Sequence, residues 1–85
     1  MKNEIQRILA GQADNISFEE KNGNILVNLD SYAIAGYAAK EIADLARKND
    51  RTCVFTIQSI NDPHIQIILY PYTEFHFPAS YENLH

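Results

Sequence analysis

The sequence predicts an α+β fold, a two-layer α-β-β-α-β-β arrangement with a four-stranded, mainly antiparallel sheet and two helices on one face. Three observations point there. An Asn22-Gly23 dipeptide sits between two segments of alternating polarity. An alanine-rich stretch with helical spacing follows, and after it come two β-branched, aromatic segments separated by Asn61-Asp62-Pro63. The 85 residues suffice for one hydrophobic core, so residues 1–85 read as a single small domain.

Lys2 to Ala10 carries Ile5, Ile8 and Leu9 at helical spacing, with Gly11 placed for a left-handed C-terminal cap. A helix this short does not persist alone, so its apolar stripe must dock.

From Ile16 to Asp30 the Asn-Gly pair suits the two positive φ angles of a type I′ turn. A two-residue loop fixes the register: Phe18 opposite Val27, Ile16 opposite Leu29 and Glu20 opposite Ile25. Ser17, Glu19, Lys21, Asn24 and Asn28 then fall on the polar face.

Asp30 or Ser31 offers a capping oxygen to a helix predicted to run to about Lys48. Its inner stripe is Ile34, Ala38, Ile42 and Leu45, flanked by Ala35 and Ala46, while Tyr37, Lys40, Glu41, Asp44 and Lys48 face outward. The passage Lys21-Asn22-Gly23, Val27-Asn28-Leu29-Asp30-Ser31 and the small-residue helix resembles the hairpin-to-helix passage of HPr-type phosphocarrier domains, in which a serine opens the helix. No histidine precedes this passage to accept a phosphoryl group, and the second half continues as a hairpin. The resemblance therefore implies shared hairpin-helix architecture and no phosphocarrier activity.

Arg51 to Ile60 and His64 to Tyr72 form the second strand pair. A loop of three or five residues places Cys53, Phe55 and Ile57 on one face with Ile65, Ile67 and Leu69. Thr52, Val54, Thr56, Gln58 and Ile60 take the other with His64, Gln66, Ile68 and Tyr70, a face apolar enough to need a cover. The tail 73–85, with Phe75, Phe77, Tyr81 and Leu84, is expected to cover the sheet, add an edge strand or serve as an interface.

Composition narrows function mainly by exclusion. The net charge of −4, from 11 acidic and 7 basic residues, opposes attraction to phosphate backbones and anionic membranes. Nucleic acid is therefore a disfavoured partner, the one basic concentration being Lys40, Arg47, Lys48 and Arg51 near a helix C-terminus. No apolar run approaches the ~20 residues a membrane helix needs, and no membrane partner is expected. The mixed N-terminus and single Cys53 suit a reducing, cytoplasmic setting. His64, His76 and His85 lack metal-site spacing, Cys53 lacks a neighbouring base, and no glycine-rich phosphate loop occurs. No catalytic residue, metal ligand or cofactor site is assigned.

Tyrosine is more informative, because it favours sites with one apolar and one wet edge, and five tyrosines occur in a chain without tryptophan. Ile68, Tyr70, Tyr72, Phe75, Phe77 and Tyr81 are the candidate partner-binding residues. The expected function is a non-enzymatic protein-interaction module or small inhibitor acting through the second hairpin and aromatic tail, with a homodimer as one form. The alternative is a small-molecule-binding or metabolic accessory domain with a pocket between helix 31–48 and the sheet.

Overall fold

Asn22 and Gly23 adopt φ values of 55° and 81° in the computed structural model, which describes residues 1–71. They join β1 (Ile16–Lys21) to β2 (Asn24–Leu29). Ile16 pairs with Leu29, Phe18 with Val27 and Glu20 with Ile25, the register that alternation and the tight turn dictate.

Before this hairpin, α1 (Lys2–Leu9) ends as Gly11 takes φ 84°. Ile5 and Leu9, one helical turn apart, are wholly buried and tie α1 to the core. After the hairpin, α2 (Gly36–Lys48) begins later than Asp30 or Ser31 predicts. The Ser31 hydroxyl instead serves Ala33, donating to its carbonyl at 2.9 Å and accepting from its amide at 3.3 Å. The Ser31 carbonyl accepts from Ile65 N–H at 2.8 Å. A serine engaged in this local turn, with its backbone tied to the sheet, cannot also cap the helix. Ala35 precedes the first helical residue, and its amide donates to Gln12 Oε1 at 2.8 Å. Ala38 and Ile42 of the predicted inner stripe are buried, whereas at its ends Ile34 and Leu45 pack at the margin and Ala46, expected to flank the stripe, is buried instead.

Following α2 come β3 (Arg51–Gln58) and β4 (His64–Pro71), joined by five residues. Cys53 pairs with Leu69, Phe55 with Ile67 and Ile57 with Ile65, as expected. The strand order is β1-β2-β4-β3, with every adjacent pair antiparallel. β2 and β3 therefore run parallel but do not touch, because β4 lies between them. No local sequence signal specifies this insertion.

The core lies between the helices and the two central strands. Val27 and Leu29 of β2, Ile67 and Leu69 of β4, Ile42 of α2, and Ile5 and Leu9 of α1 are its largest fully buried side chains. Each buried aliphatic of this size stabilises the fold by about 1.5–3 kcal/mol before entropy is counted. β2 and β4 alternate cleanly between buried and half-buried positions, whereas β1 and β3 form the edges and are more exposed. Expected as core-facing, Phe55 and Ile57 share the face of Ile67 and Ile65 but stand 39% and 59% exposed. Their strand is an edge, and the helical layer does not cover that part of it. The tail 73–85 lies outside the described residues.

Candidate functional site

Three surfaces of the second hairpin and its surroundings bear on function. The first is the sheet face opposite the helices. Leu26, Ile68 and Val54 form a row across β2, β4 and β3, since Ile68 pairs with both of its neighbours. All three are half-buried. Beside them runs a polar row of Asn28, Gln66 and Thr56. Gln66 Nε2 donates to Asn28 Oδ1 at 2.9 Å, and Thr56 Oγ1 donates to the Gln66 carbonyl at 3.2 Å. These bonds occupy the polar groups with one another and leave the Leu26-Ile68-Val54 row as the apolar feature of this face. Tyr70, two residues beyond Ile68 and paired with Thr52, shares the face.

The second surface is the outer edge of β3. Among the described residues no strand pairs with it. Phe55 and Ile57 project from this edge on the helix side, and Ile60, in the loop after the strand, is 95% exposed. Arg51 is the only charged residue in β3. Its guanidinium turns inward, donating to the carbonyls of Gly23 at 3.0 Å and Leu69 at 3.1 Å. The remaining edge, Thr52 to Gln58, carries no charge.

Shallow depressions make up the third group. One of about 500 Å³ lies where the first hairpin meets the second loop, lined by polar groups including Asn15, Asp30, Asp62 and His64. The backbone and side chain of Asn15 hold the Asp30 carboxyl below the usual range, the side-chain bond being 2.8 Å. His64 Nδ1 lies 3.1 Å from the Asp62 carbonyl, so a hydrogen bond there requires the proton on Nδ1. A smaller depression of about 230 Å³ lies at the seam of α2 and β3, against Ala43, Arg47, Arg51, Thr52 and Cys53. It is the feature nearest to a pocket between helix 31–48 and the sheet, and it falls below the ~300–1,000 Å³ of ordinary ligand sites. Burial pushes the Cys53 thiol up, against a weaker lowering by Arg47 and the backbone, and a raised pKa keeps the nucleophilic thiolate scarce at neutral pH. Arg47 is ion-paired with Asp44 one turn earlier. Among the described residues no three His, Cys, Asp or Glu side chains converge as metal ligands, and no helix is long and apolar enough to cross a membrane.

Of the candidate partner-binding residues, Ile68 and Tyr70 share the sheet face opposite the helices, half-buried. Tyr72, Phe75, Phe77 and Tyr81 lie outside the described residues. Phe55 and Ile57 were missed as surface residues because strand order decides their exposure, and Ile60, expected within the strand, lies beyond its end at Gln58, where Ser59 takes φ 64°. Ile60 alone gave a readable signal: a large aliphatic within the turn-forming run Ser59-Ile60-Asn61 has no second side to bury against.

The fold and these surfaces define a class, a two-layer α+β domain with an open antiparallel sheet. Within that class, comparison with protein families, curated proteins and solved structures finds no match.

Proposed function

We propose that this chain is a non-enzymatic protein-interaction module, or small inhibitor, that binds through its second hairpin. The observation carrying this reading is the concentration of exposed apolar side chains there: Phe55, Ile57 and Ile60 are three of the five large hydrophobics exposed among the described residues. Apolar side chains gathered at one surface lose unfavourable hydration when a partner covers them. Ile68 and Tyr70 extend the apolar character to the opposite face of β4, and Tyr72, Phe75, Phe77 and Tyr81 follow in sequence. A partner protein gains both from this apolar area and from the edge backbone groups of β3 that no strand among the described residues pairs with.

The test is site-specific photocrosslinking. A benzoyl-phenylalanine placed at Phe55 of the full chain should give a discrete protein adduct in extract of the source cells. The same probe at Glu19, on the opposite edge, should give none. Equal labelling at both sites, or no adduct at position 55, would remove the support for this surface.

A further inference from the structure

Edge strands of soluble proteins are normally protected by charge, proline, bulges or brevity, because their free amides and carbonyls template further pairing. β1 follows this rule: it has six residues, three of them charged, at Glu19, Glu20 and Lys21. β3 does not. It has eight residues in uninterrupted register with β4, contains no proline, and directs its one charge inward.

We propose that β3 pairs antiparallel with β3 of a second copy about a twofold axis at Phe55, giving one continuous eight-stranded sheet. This rests on the reading that the second hairpin is a protein-binding surface, and it names the partner. Strand polarity selects that partner. Antiparallel partners share a face, so a symmetric pairing must be centred on a residue. Centring on Phe55 sets Phe55 against its own copy and Ile57 against Cys53, joining apolar to apolar on the helix side. On the other side Val54 meets Thr56, and Thr52 meets Gln58. Read backwards about Phe55, the helix-side positions Cys53, Phe55 and Ile57 stay apolar and no charge falls between Thr52 and Gln58, so a second copy meets this edge apolar to apolar on that side and without like-charge repulsion. Centring on Val54 instead sets Ile57 against Arg51, which is already committed to Gly23 and Leu69.

Electrostatics allow the pairing despite the net charge of −4 per chain. The contact strand is uncharged from Thr52 to Gln58. Glu19 and Glu20 lie three strand spacings away, roughly 14 Å, which exceeds the ~8 Å screening length at physiological salt.

Sedimentation velocity of the full chain should show a species of twice the 9.7 kDa chain mass. Ile57→Lys should return it to monomer while the circular dichroism spectrum is unchanged. A second variant guards against misfolding: Ile57→Cys places a thiol opposite Cys53 of the other copy. Diamide should convert the Ile57→Cys protein to a covalent dimer. Cys53 and position 57 of the same strand stand about 13 Å apart, so the bond cannot close within one chain. Glu19→Cys should stay uncrosslinked through its own position. A monomer at every concentration together with no Ile57→Cys dimer overturns the pairing. If photocrosslinking at position 55 then still gives an adduct of higher mass than two chains, the interaction reading survives with a different partner; if it gives none, both fall.

Discussion

The two hairpins are built from similar material and finish in different circumstances. Each is an antiparallel pair whose helix-side positions are apolar, apart from Glu20 beside the first turn, and each contributes one central strand to the core, β2 from the first and β4 from the second. The first closes in a two-residue turn and presents a charged outer strand. The second closes through five residues and presents an outer strand with exposed Phe55 and Ile57. The inner strands are interchangeable in kind, whereas the outer strands are not. Stability should therefore respond alike to both hairpins at the centre, and partner binding should respond to only one.

The largest expected effect tests the shared half of that comparison. Ile67→Ala in β4 and Val27→Ala in β2 both empty positions that are 0% exposed. Ile67→Ala should cost about 2–5 kcal/mol, with a smaller loss for Val27→Ala because fewer methylenes are removed. Urea denaturation checks this, and a negligible loss from either would mean that the hairpins are unequally anchored.

An intermediate effect separates the two turns. Gly23→Ala meets only Pro71 Cγ at 3.8 Å, an ordinary contact, so its cost comes from the φ of 81°. It should lose about 1–2 kcal/mol. Two glycines inserted between Ile60 and Asn61 should cost under about 0.6 kcal/mol, because closure entropy grows slowly with loop length. Thermal unfolding of the two variants sharpens or erases the contrast.

The smallest effect concerns pH. Asp30, at the end of the first hairpin, has a carboxyl held below its ordinary value of 3.8 by the Asn15 amide and side chain. A depressed carboxylate pKa stabilises the fold above the unfolded value, and that contribution fades as pH falls through the folded pKa. Asp30→Asn should slightly lower stability at neutral pH and flatten its decline below about pH 4, so that the two proteins converge in acid. A melting series from pH 7 to pH 2.5 reads this, and an identical acid limb in the variant would contradict it.

How much of this was legible in the sequence depended on range. The Asn22-Gly23 turn, the registers of both hairpins and the partition of their faces follow from local chemistry and period-two alternation. The start of α2 did not, because Ser31 has two competing uses and its contact with Ile65, far along the chain, settles which one prevails. The burial of Ala46 ahead of Leu45 depends on how α2 lies on the sheet. For the candidate surface, Ile68 and Tyr70 could be placed on their face from alternation alone. The exposure of Phe55 and Ile57 could not, since the same strand placed centrally would bury them. Edge or centre is a property of the whole sheet.

The position of β4 between β2 and β3 has a consequence for how the molecule comes into being. During synthesis the first hairpin and α2 emerge before the strand that joins them to β3, so β3 has no described sheet partner until His64 to Pro71 follows. Assembly is then a late insertion rather than a stepwise extension, and its long-range pairings favour slow, concerted folding. Until that insertion, β3 is a lone apolar strand, exposed to encounter its like on a neighbouring nascent chain.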